Sequence, residues 1–186
     1  MRLLLLLTVL LAGPVTAADG DRPRVTLTTG MGEMVIELWP EEAPETVDHF
    51  LEHVDGDHYS GLIFHRVIPD FMIQTGGYEP GLEYREPTGT VVNESVGGPR
   101  NLRGTLAMAR LRDPDSADAQ FFVNLRDNSH LDADGERPGY TVFGRVIGGM
   151  AVAEKISEVR TGGRGGMRNV PLEPVVIESI ERQGTR

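Results

Sequence analysis

Phe64-His65-Arg66-Val67-Ile68-Pro69-Asp70-Phe71-Met72-Ile73-Gln74-Thr75-Gly76-Gly77 is the stretch on which the reading of the fold turns. With Pro69-Asp70-Phe71 as the loop of a hairpin, Arg66 and Gln74 fall opposite each other, and Met72 shares the face of Gln74. A guanidinium would then be held by an amide carbonyl. An arginine between apolar flanks, beside aromatic and methionine side chains, makes an unusual surface but a sensible pocket.

Upstream, residues 25–39 read as a hairpin: Val25-Thr26-Leu27-Thr28-Thr29 is rich in β-branched residues, and Met34-Val35-Ile36-Glu37-Leu38-Trp39 resumes the pattern past Gly30-Met31-Gly32. Pro44 then opens a helix whose Val47, Phe50, Leu51 and Val54 repeat at helical spacing until Gly56. A second, weaker helix is expected over 150–159. Between and after them, strands are expected over 62–68, 72–76, 105–109, 120–125, 141–147 and 175–182. Many short strands with two helices imply a mainly β sandwich or closed barrel. On the strand from Gln120, alternation puts Gln120 and Phe122 on one face and Phe121 on the other. The run Gly162-Gly163-Arg164-Gly165-Gly166 lacks the lysine and hydroxyl of a phosphate loop and reads as a flexible turn.

The start of the chain differs from the rest. Met1-Arg2, an apolar run through Leu11 and the small residues Val15-Thr16-Ala17-Ala18 have the form of a secretory leader over 1–17, cleaved after Ala17. A polar lead-in over 18–23, one domain over 24–183 and a short polar tail over 184–186 complete the expected organisation, with the mature chain periplasmic or secreted. The formal charge of −10, which becomes −11 when Arg2 leaves with the leader, argues against nucleic-acid binding. With no cysteine, disulfides, thiolate chemistry and a lipidated cysteine anchor are excluded.

The 64–77 stretch, together with Gly104-Thr105-Leu106-Ala107-Met108-Ala109, Ser116, Gln120-Phe121-Phe122-Val123-Asn124, Leu131-Asp132 and Val142-Phe143-Gly144-Arg145-Val146, resembles the cyclophilin family. These separated motifs, in order, cover nearly the whole expected domain. The resemblance implies a closed eight-stranded antiparallel β-barrel capped by two helices, with a proline-binding groove on its outer face. It implies peptidyl-prolyl cis-trans isomerisation of unfolded or folding polypeptides, by a monomer, with no covalent intermediate, metal or cofactor. Arg66 would be the catalytic donor, oriented by Gln74. Phe71, Met72, Phe122 and Leu131 would form the proline pocket, with Gln120 and the backbone around Ala109 holding the peptide.

Two positions depart from the best-known pattern. His130 precedes Leu131 where eukaryotic members carry tryptophan, and Tyr140 stands where they carry histidine, as in bacterial exported members. Both are assigned to the groove edge, and weak cyclosporin binding is expected because the missing indole forms part of the drug contact in the family.

Rival sites are poorer. His49 and His53, four apart, lack partners for a zinc set and read as a solvated helix face. Residues 132–136 lack an EF-hand register and read as an acidic loop. Asn93-Glu94-Ser95 matches a glycosylation sequon, and no G-x-S-x-G elbow is present. The remaining alternatives are a barrel that holds proline segments without turnover and, third, a structural or assembly protein.

Overall fold

The computed structural model describes residues 22–184, so the expected leader, most of the lead-in and the last residues of the tail lie outside the described residues. The first hairpin forms as read, from β1 (Arg24–Thr29) and β2 (Gly32–Leu38), with Val25 facing Ile36 and Leu27 facing Met34. The 64–77 stretch gives β3 (Arg66–Ile68) and β4 (Met72–Thr75). The later strands are β5 (Thr105–Met108), β6 (Phe121–Asn124), β7 (Val142–Gly148), β8 (Thr161–Arg164), β9 (Met167–Pro171) and β10 (Ile177–Arg182). Eight of them make one antiparallel sheet in the order β10-β1-β2-β7-β5-β6-β4-β3.

That sheet is a curled half-barrel, and the expected closed ring is not made by its ladder. Of the run expected over 62–68, only Arg66–Ile68 joins the sheet. Residues 62–65 are not part of that ladder, and the seam between the edge strands β3 and β10 is spanned by the isolated bridge of Ile63 to Val176 and its flanking bonds: the Gly61 N–H to the Ile177 carbonyl and the Ile177 N–H to the Leu62 carbonyl, each at 2.8 Å, and the Phe64 N–H to the Val175 carbonyl at 3.0 Å.

The glycine run holds a turn as read, at Gly165-Gly166, but its first three residues belong to β8, and the unexpected strands β8 and β9 pair as a separate two-stranded sheet. Gly165 and Gly166 take φ of 56° and 80°, two consecutive left-handed residues that glycine adopts without steric cost, as a tight hairpin turn requires.

The helices are α1 (Pro44–Asp55) and α2 (Met150–Ser157), the latter two residues shorter than expected. Helix α1 starts without a cap of its own. Glu94, 49 positions beyond Glu45, reaches back to accept the Glu45 and Thr46 N–H groups and the Thr46 hydroxyl. Val47, Phe50, Leu51 and Val54 of α1 and Ala153 and Ile156 of α2 join the inward residues of the sheet in one core. Phe50 is its hub, edge-on to Phe121 with ring centres 5.5 Å apart and 5.2 Å from Phe143.

The supposed solvated histidine face is also corrected. His53 is fully buried because the loop at Thr88 covers it: its Nδ1 donates to the His49 carbonyl at 2.8 Å, and its Nε2 accepts the Thr88 N–H at 3.2 Å.

Candidate active site

The outer face of the sheet carries a second, smaller apolar cluster of Met72, Ala107, Phe122 and Val142, with Phe71, Ala109, Leu131 and Tyr140 packed against it. Strand register places these residues. Val142 faces Ala107, Ala107 faces Phe122, Phe122 faces Gln74, and Gln74 faces Arg66. Directly opposite residues share a face, so the five form one row across β7, β5, β6, β4 and β3. Phe121, its side chain alternating to the other face, is buried in the main core as read.

The row ends at a cation. Arg66 is exposed, and its Nη1 donates to Gln74 Oε1 at 3.3 Å. Among the described residues Arg66 forms no ion pair, whereas Arg22, Arg24, Arg85, Arg100, Arg103, Arg137, Arg145 and Arg182 each do. Its remaining N–H groups are therefore uncommitted to carboxylates.

Around this row lies a groove of about 590 Å³, and nine of the ten predicted residues line it: Arg66, Phe71, Met72, Gln74, Ala109, Gln120, Phe122, Leu131 and Tyr140. The tenth, His130, stacks on Phe71 with ring centres 5.6 Å apart and so backs the groove from outside. Another cavity, about 540 Å³ and lined in part by Met31, Val159, Leu172 and Pro174, contains none of them.

Each wall has its own support. The Phe71 carbonyl accepts the Leu125 N–H at 3.0 Å and Asn128 Nδ2 at 3.0 Å. Asn128 also donates to Asn124 Oδ1 at 2.7 Å, so fully satisfied buried amides hold both Phe71 and the short 3-10 turn Ser129–Leu131. Asp132 follows that turn. Burial alone would raise its carboxyl, but the Asn101 N–H and Arg100 outweigh burial and hold it below the usual range. Residue 132 is thus a structural acceptor. Among the described residues no cluster of three or more His, Cys, Asp or Glu is arranged to hold a metal ion.

Tyr140 stands edge-on to Phe122 at 5.7 Å and is capped by Arg110, whose guanidinium lies 4.9 Å from the ring centre. Arg110 donates to the carbonyls of Leu111, Pro138 and Gly139, fixing that wall. At the floor, Gly77 admits the Gln120 side chain: a Cβ there would stand 2.7 Å from Gln120 Cδ.

Several residues went unassigned in the sequence. His65 and Tyr78 line the groove beside Arg66, and Met167, Arg168 and Asn169 bring β9 to its rim. The alternation of the 64–77 strand points His65 away from Arg66, and only the long-range return of β9 could have revealed the rim.

A mainly β domain with a peptide-sized apolar groove on the outer face of its sheet, rimmed by an amide-tethered arginine, is a class of protein built to grip an extended chain. Sequence comparison makes the class specific. The family description cyclophilin type peptidyl-prolyl cis-trans isomerase/CLD matches residues 24–182. The chain belongs to this family of proline-isomerising enzymes. It is 48% identical over 163 residues to peptidyl-prolyl cis-trans isomerase cyp18 of Streptomyces antibioticus, covering 86% of this chain and 98% of the relative. To peptidyl-prolyl cis-trans isomerase B of Escherichia coli it is 47% identical over 159 residues, covering 84% and 97%. A cyclophilin type isomerase of Cryptosporidium parvum, 21% identical, shares the fold with a TM-score of 0.73 over 89% of this chain and 99% of its own.

His65 supplies a pH signature. Burial, then the neighbouring Arg66 charge, push its imidazole from 6.5 down to about 4, and its Nδ1 has no partner. Burial lowers His49 and His58 as well. Because the unfolded chain binds protons that these folded histidines refuse, stability rises with pH across the window from about 4 to 6.5. The melting temperature is expected to fall on acidification through that window, and to fall less in His65→Gln. Parallel curves for the two proteins would contradict the assignment.

Proposed function

We propose that this chain accelerates rotation about X-Pro bonds in unfolded or folding polypeptides, with Arg66 donating a hydrogen bond to the prolyl nitrogen in the transition state. The observation that carries the reading is the Arg66–Gln74 bond at 3.3 Å, which sets an unneutralised guanidinium over a hydrophobic floor.

Amide resonance gives the X-Pro bond a rotation barrier of about 18–20 kcal/mol. In the twisted transition state the nitrogen regains a lone pair. A donor placed there binds the transition state and scarcely touches the planar ground state, so its interaction energy lowers the barrier instead of deepening the substrate well. An acceleration of about a hundred-thousandfold requires roughly 7 kcal/mol of such preference. One charged hydrogen bond supplies part of it. Met72, Phe122 and Leu131 with Phe71 enclose the ring and exclude water, which strengthens the arginine's field. Gln120 and the backbone at Ala109 hold the peptide on either side. The groove is complete within one chain, which supports a monomer.

Turnover by Arg66→Ala in a protease-coupled isomerisation assay is expected to fall by about a hundredfold, the scale on which a preorganised donor matters, with little change in peptide affinity. Near-full activity would remove Arg66 from this role.

The edge of the groove bears on inhibition. The small, exposed His130 stands where the family's drug-binding indole would be, and it is turned onto Phe71. Cyclosporin is therefore expected to bind weakly, and a nanomolar dissociation constant by titration would contradict this.

Export belongs to the same proposal. It is supported by the charge, apolar run and small-residue site of residues 1–18. Fractionation should find a product shortened by 17 residues outside the cytoplasm, whereas a full-length membrane-bound product would overturn cleavage.

A further inference from the structure

The Arg66–Gln74 tether works only if Gln74 presents its oxygen, and an amide can sit either way round. Behind Gln74 runs a hydrogen-bond chain with a fixed direction. Gln74 Nε2 donates to Gln120 Oε1 at 3.2 Å, and Gln120 Nε2 donates to Asp118 Oδ2 at 3.2 Å. Asp118 Oδ1 accepts the Gln120 backbone N–H at 2.7 Å, and Oδ2 also accepts the Tyr84 hydroxyl at 2.6 Å. Burial, then this bond to Asp118, raise the Tyr84 phenol above its usual value, so the hydroxyl remains a donor at neutral pH.

A guanidinium can only donate and a carboxylate can only accept. Two amides strung between them satisfy every bond in one polarity alone. Arg66 is the exposed end, and it must turn toward the substrate nitrogen. Asp118 is the end that stays put: its carbonyl accepts His49 Nε2 at 3.0 Å, and the next carbonyl, of Ala119, accepts the buried Tyr59 hydroxyl at 3.1 Å. These backbone bonds do not involve the Asp118 side chain.

We propose that Asp118 is a positioning residue for the isomerisation, acting through Gln120 and Gln74 to keep the Gln74 oxygen turned toward Arg66. The inference rests on Arg66 being the donor in the reaction. It gives an order of substitutions opposite to ordinary conservatism. Asparagine is nearly isosteric with Asp118, but with its Oδ1 on the Gln120 N–H it puts an NH₂ against Gln120 Nε2. Donor then meets donor, and relief requires both amides to flip, which presents the Gln74 NH₂ to Arg66. Alanine merely removes the bias.

The test is steady-state isomerisation by the folded protein, with melting temperatures in parallel. Asp118→Asn is expected to lower kcat about tenfold and Asp118→Ala about threefold, each with KM within about twofold of the parent. An asparagine variant as active as the alanine variant, or more so, would overturn the proposal. Should the asparagine chain not fold, the alanine chain decides, and an unchanged kcat overturns the proposal. Parent activity that disappears in Arg66→Ala reports separately on the donor itself, so an active parent with indifferent Asp118 variants sinks this inference and leaves that reading standing. An inactive parent sinks the reading.

Discussion

The register of five neighbouring strands is the constraint on which the rest depends. Val142, Ala107, Phe122, Gln74 and Arg66 stand directly opposite one another across β7, β5, β6, β4 and β3. A slip of one residue in β3 would carry Arg66 to the core face and bring Val67, fully buried in the core, to the groove. The core enforces the register, because Phe121 and Val67 can be buried only when Phe122 and Arg66 face outward. Catalytic placement is thus a by-product of hydrophobic burial, and the tight packing of Phe50 against Phe121 and Phe143 is felt at the groove.

The groove's polar side follows a different logic. Apolar contacts fix where side chains lie, but they are indifferent to which end of an amide is oxygen. The choice falls to fixed charges at the ends of the chain from Arg66 to Asp118. A similar division holds at the far wall, where Arg110 clamps carbonyls at 138 and 139 and stacks on Tyr140, while the buried amides of Asn124 and Asn128 hold Phe71. Hydrophobic pattern builds the floor, and hydrogen-bond direction finishes it.

Much of this was legible in the sequence, and the physical reason is locality. The 64–77 hairpin has a three-residue loop, so its register follows from chain geometry, and Arg66 meets Gln74 as read. The split of Phe121 from Phe122 follows from the two-residue period. Misreadings arose where distant segments decide. His53 is polar and helical, and only the loop at Thr88 buries it. Gly165-Gly166 reads as a turn and forms one, but that it joins two paired strands, β8 and β9, is not visible in the glycine-rich pattern. Residues 62–65 have strand composition, yet they leave the ladder and the ring stays open. Asp118 bonds the N–H two residues on, a local motif, but its link to Gln74 crosses between strands and has no local signal.

The most direct test of the central claim separates rotation from binding. In NMR exchange measurements on a saturated enzyme–peptide complex, Arg66→Lys keeps the charge but loses the planar fork that Gln74 holds. Arg66 as the tethered donor predicts on-enzyme cis–trans exchange slowed by about tenfold or more, with a nearly unchanged dissociation constant. An exchange rate equal to the parent's, with or without weaker binding, would contradict it.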